Sequence, residues 1–123
     1  MTAGRLPLWR RLRNAWRHSR RKLRCIIDLR DDGFVFTAWG RKTDMRWADV
    51  CRIDAGIRDC FTFDVCYVAL FDAYGGVEIE ELDEGFSQFE YALFDHWPQI
   101  RTRWEELLKS QSSEVQRETL WQR

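Results

Sequence analysis

Apolar residues first recur with a helical period. Between residues 8 and 23, Trp9, Leu12, Trp16 and Leu23 share one stripe, flanked by Leu8 and Ala15 and surrounded by arginines. That spacing predicts a basic amphipathic helix, and Pro7 suits its first position. From residue 24 the period drops to two. Cys25, Ile27 and Leu29 alternate with Ile26, Asp28 and Arg30, the signature of a strand. Asp31-Asp32-Gly33 predicts a tight hairpin, because Asp and Gly tolerate the positive φ of such turns, and residues 34–39 form the return strand. A turn over residues 40–43 leads to a short third strand, 45–47. After Ala48-Asp49 a fourth strand spans 50–55, with Cys51, Ile53 and Ala55 alternating. Residues 56–64 read as a loop.

Residues 65–71 are apolar on both faces, which predicts a central strand. A turn at 72–76 opens the strand 77–82, with Val77 and Ile79 facing in and Glu78 and Glu80 facing out. Phe86, Phe89, Leu93 and Trp97 then return to helical spacing, and Pro98 stops that helix. Ile100, Trp104, Leu107 and Leu108 outline a second short helix, and Ser113 with Gln116 can cap a last one. Strands followed by helices predict an α+β fold: a curled antiparallel sheet of about six strands, with C-terminal helices and an N-terminal basic amphipathic helix. The expected division is a basic arm, 1–24, an α+β domain, 25–110, and a polar tail, 111–123. Phe34, Phe36, Trp39, Trp47, Tyr67, Phe71, Phe86, Phe89, Leu93 and Trp97 are the expected core, closed without Trp9 or Trp16.

Charge sharpens this division. The net charge is zero, yet residues 1–24 hold nine Arg/Lys and no acid. Residues 25–123 carry the other eleven basic residues and all twenty acids, a balance of −9. No Lys or Arg occurs from residue 59 to 100, where ten acids lie. Segregated charge of this kind points to electrostatic partners. The acidic surface expected to meet a basic partner comprises Asp64, Asp72, Glu78, Glu80 and Asp83, since complementary charge speeds association and selects partners. The basic arm, through Trp9, Arg10, Arg13, Trp16, Arg17 and Arg20, has four readings. It packs on the acidic body, lies on an anionic membrane, neutralises nucleic-acid phosphates, or enters a partner's groove.

The block 47–104 resembles small uncharacterised bacterial proteins with a pleckstrin-homology-like plan. The residues that carry the resemblance are Trp47, Asp49, Val50, Ile53, Phe61, Thr62, Asp64, Glu80, Glu81, Gly85, Phe86, Pro98 and Trp104. Some proteins of this type serve as partners of other proteins, toxin-neutralising immunity proteins among them. The resemblance implies no catalytic residue.

The residues themselves supply no nucleophile with a base. His96 stands at a helix end, where a histidine meets the last carbonyls. The four cysteines form no C-x-x-C pair and lie far from His18 and His96, so neither a metal site nor a cofactor is expected. Gly75-Gly76 lacks the Lys and helix of a phosphate loop. The first residues show no apolar h-region, so secretion by a signal peptide is not expected, and no run reaches the length of a membrane span. The expectation is a non-enzymatic, cytoplasmic protein-binding module of the immunity or adaptor kind, its partner a toxin, effector or complex subunit. A membrane-peripheral, lipid-binding module is the alternative, and a nucleic-acid-associated protein the second alternative.

Overall fold

A computed structural model describes residues 25–60, 63–110 and 117–123. Strands β1 (Ile26–Arg30), β2 (Gly33–Ala38) and β3 (Arg41–Arg46) form a three-stranded antiparallel meander. Strands β4 (Arg52–Asp59), β5 (Asp64–Phe71), β6 (Gly76–Glu80) and β7 (Glu118–Gln122) form a second antiparallel sheet, ordered β6-β5-β4-β7. Helices α1 (Phe86–His96) and α2 (Arg101–Leu108) lie in the chain between β6 and β7, and 3-10 turns occupy Trp47–Asp49 and Pro98–Ile100. The fold is α+β, as the periodicity predicts. The described strands divide into two sheets of three and four, however, not a single sheet of six. The chain leaves β3 through the turn at Trp47, whose N–H bonds Asp32 O at 2.9 Å, and so β3 never pairs with β4.

The two sheets are joined at the start of β1. Ile27 N–H donates to Glu84 O at 2.9 Å, and Glu84 N–H donates to Cys25 O at 3.1 Å. Gly85 follows at φ 89°, and a Cβ there would sit 2.5 Å from Ile27 O. Both its left-handed backbone and its close approach to β1 require glycine. It leads directly into α1, so this junction sets where that helix starts.

One apolar core lies between the sheets and the helices. Phe34, Met45, Ile53, Leu70, Ile79, Phe89, Leu93 and Trp104 are essentially excluded from water. Trp47 sits at its centre, with ring centroids 5.2 Å from Phe34, 6.1 Å from Phe89 and 5.9 Å from Trp97. Strand β5 runs between β4 and β6 and is buried on both faces, as its unbroken apolar run predicts.

Several expectations need correction. Trp39 is not core: with Gly40 it forms the β2–β3 turn, at φ 56° and 75°, and it is 54% exposed. Neither Asp31, Asp32 nor Gly33 uses a positive φ. Gly33 serves instead to let β3 approach, since a Cβ would meet Met45 O at 2.0 Å. The expected loop at 56–64 is largely strand, because β4 continues to Asp59 and β5 begins at Asp64. The polar tail contributes β7, which pairs with β4 and carries Trp121 to within 5.4 Å of Trp97. The N-terminal helix and the Ser113/Gln116 cap fall outside the described residues.

Candidate functional site

Alternation divides the second sheet into two faces. Ile53, Ala55, Cys66, Val68, Leu70, Val77 and Ile79 belong to the helix-backed core. The opposite face receives Arg52, Asp54 and Arg58 from β4, Tyr67, Ala69 and Phe71 from β5, and Glu78 and Glu80 from β6. Thr119 of β7 and the preceding Arg117 reach Asp54 on the same face. These side chains form a continuous chain of ion pairs. Arg58 binds Glu80 through Nη1 and Glu78 through Nη2, the latter at 2.9 Å. Arg117 lies 3.7 Å from Glu78, and its Nε donates to Asp54 Oδ2 at 3.2 Å. Arg52 Nε completes the chain 3.3 Å from Asp54 Oδ1, a charge contact without an aligned hydrogen bond. The guanidinium groups also stack on rings: Arg58 lies 4.8 Å from Tyr67, Arg52 lies 4.1 Å from Phe71, and Arg117 contacts both. Burial works against the charge of Arg117, but the Asp54 hydrogen bond and nearby negative charge raise its pKa overall.

This arrangement changes the reading of the predicted acidic surface. Glu78 and Glu80 do share the outer face, opposite Val77 and Ile79, but both are engaged by Arg58. Glu78 is half exposed and paired, whereas Glu80 is only 2% exposed. Asp72 caps its own turn, accepting hydrogen bonds from Tyr74 N–H at 2.8 Å and Gly75 N–H at 3.1 Å. Asp83 accepts from Glu80 N–H at 2.9 Å. Asp64 stands directly opposite Asp59 at the end of the β4–β5 hairpin. The fold therefore brings Glu78 and Glu80 together on one face, with Asp83 bonded back to Glu80, and places Asp72 in a separate turn. Trp9, Arg10, Arg13, Trp16, Arg17 and Arg20 lie outside the described residues. Arg52, Asp54, Arg58 and Arg117 were missed by sequence reasoning. The available signal was the polar set at 52, 54 and 58, in phase on one strand face.

A second acidic feature lies between the helices. A cleft of about 380 Å³ is lined by Glu90, Tyr91, Phe94, Asp95, Arg101 and Glu105, among others. Helix α1 places residues 91 and 95 one turn apart on the same side. Tyr91 is 81% exposed at the cleft margin. The floor is fixed by Trp104, whose indole N–H donates to Glu90 Oε2 at 2.6 Å. Arg101 bonds Glu105 at 2.9 Å, which leaves Glu90 and Asp95 as the cleft's excess negative charge.

His96, the only histidine among the described residues, is used structurally. Its Nδ1–H donates to Ala92 O at 3.0 Å, as expected at a helix end, and its ring stacks on Trp47 at 4.9 Å. Among the described residues no three His, Cys, Asp or Glu side chains are grouped to hold a metal, and no helix is long and apolar enough to cross a membrane. Cys66 is buried, its thiol 3.6 Å from Leu107 O. Comparison with known proteins finds no matching family model, no matching curated protein and no matching solved structure.

Proposed function

We propose that this chain is a non-enzymatic protein-binding module that presents an acidic, aromatic surface to a basic partner, in the manner of immunity and adaptor proteins. The observation that carries the reading is the α1–α2 cleft, where the excess charge of Glu90 and Asp95, beside the Arg101–Glu105 pair, meets exposed Tyr91 and half-buried Phe94. A Lys or Arg side chain entering such a cleft gains charge neutralisation and ring contact together. Tyrosine is favoured at such surfaces because it offers a large contact area at little entropic cost. The outer face of the second sheet suits this role less well, since its carboxylates are already matched by Arg52, Arg58 and Arg117. The pleckstrin-homology-like plan remains part of the proposal: two antiparallel sheets followed by helices are compatible with it. A cytoplasmic setting belongs to the same proposal.

The test is affinity purification of the full chain from its native cell, beside the Tyr91→Ala/Asp95→Lys variant. A basic protein recovered with the unaltered chain is expected to fall at least tenfold with the variant, whose exposed positions leave the fold unchanged. Recovery equal in both would remove the cleft as the binding surface.

A further inference from the structure

The face of the second sheet opposite the helices has a buried apolar end that stands apart from the main core. Phe63 and Val65, at the start of β5, are buried, and Val65 is 0% exposed. Neither belongs to the cluster packed between the sheets and the helices. The same end of the domain gathers negative charge. Asp59 and Asp64 stand directly opposite each other in the hairpin register, a like-charge pairing that costs stability unless cations lie near. Glu81 joins them from the neighbouring strand end, where its N–H bonds Cys66 O at 2.9 Å. Asp83 and Glu84 follow in the next turn. None of these five residues is without a partner.

The chain reaches this end from its own N-terminal side. Cys25 O accepts from Glu84 N–H at 3.1 Å, so Cys25, the first described residue, is held beside Glu84. The segment that precedes it carries nine cations, no acid, and the Trp9/Leu12/Trp16 stripe. Charge, tether and apolar cover all fit one occupant. We propose that residues 1–24 dock in cis on this end of the second sheet, with the Trp/Leu stripe over Phe63 and Val65 and the arginines against Asp59, Asp64, Glu81, Asp83 and Glu84. The tether gives the segment a high effective concentration at the site, so a modest contact suffices to hold it. Asp64 and Asp83 then serve the molecule internally, and an external basic partner is left with the interhelical cleft on other elements. The inference goes beyond the cleft reading and does not depend on it.

Hydrogen exchange read by mass spectrometry on the full chain tests the proposal. Amides of residues 8–23 are expected to exchange at least tenfold more slowly than an unstructured segment, at a rate independent of protein concentration. The Asp59→Lys/Asp64→Lys variant should lose that protection while β5 keeps its own. Should the variant fail to fold, Arg10→Glu/Arg13→Glu/Arg17→Glu/Arg20→Glu alters only the arm and should lose the protection equally. An unprotected arm in the unaltered chain would overturn the proposal. Protection that grows with protein concentration would assign the face to a second copy instead. Protection appearing only with vesicles containing phosphatidylglycerol would assign the arm to a membrane. Protection that survives either variant would remove the acidic end as its site.

Discussion

A carboxylate kept almost wholly from water, as at Glu80, is tolerable only with a cation or hydrogen-bond donors against it. Arg58 supplies both, and its guanidinium lies over Tyr67, so the same side chain pairs a charge and covers a ring. Removing one partner of a buried pair is costly because the other is left charged in a poor solvent. Arg58 itself is about two-fifths exposed, so water offsets part of that cost. Arg58→Met keeps the apolar stem over Tyr67 while deleting the charge, and it is expected to cost about 2 kcal/mol in urea denaturation. Adding Glu80→Gln should restore part of the loss, giving a coupling of about 1 kcal/mol in the double-mutant cycle. A neutral Arg58→Met would mean that the pair does not hold Glu80 in place.

Strand β7 is an element that local pattern hides. Leu120 and Trp121 are adjacent yet both pack against the core, because the register shifts between Ile53 and Asp54 where β7 meets β4. Such a bulge breaks the two-residue alternation on which strand recognition rests. Strands β1 and β6 and helix α1 were legible for the opposite reason, since their apolar residues keep one period, and β2 and β5 were legible as apolar runs bounded by turn residues. The ion-pair chain was not legible, since it depends on register between strands and on Arg117, which reaches Asp54 from sixty-three residues away. β7 is also tied to α2 by two hydrogen bonds from Arg103 to Glu118, at 2.9 and 2.6 Å. Those bonds, with the nearby positive charge, hold the Glu118 carboxyl below its usual range despite the opposing effect of burial. A lowered carboxyl pKa contributes stability above the unfolded value, about 4.3, and that contribution is lost as pH falls through the lowered folded value. Glu118→Gln should therefore lower the unfolding free energy at pH 7, read by thermal denaturation, by no more than about 1 kcal/mol, since both heads are partly in water. The gap from the unaltered chain should narrow as pH drops from 7 towards 3. A gap that stays constant would show that the charge of Glu118 contributes nothing.

At the scale of the whole molecule, a formal balance of zero conceals a cationic segment followed by an anionic domain. The domain neutralises part of its own excess through the Arg52, Arg58 and Arg117 chain and concentrates much of the remainder at one sheet end and one cleft. The sheet order adds a kinetic property. β4 pairs on one side with β5, its hairpin neighbour, and on the other with a strand more than sixty residues distant. Closing that long loop has an entropic cost that the hairpin does not meet, so β7 is expected to join last and leave first. Native-state exchange should show β7 amides opening at least tenfold faster than those of β5, which are released only by global unfolding. Equal rates would place both strands in one cooperative unit. Each time β7 leaves, the backbone donors and acceptors of Arg52 to Ala55 become an open sheet edge, a template on which another chain can pair. The final strand is thus a guard against self-association, and weakening its hold invites exchange of that strand between molecules before the core is lost.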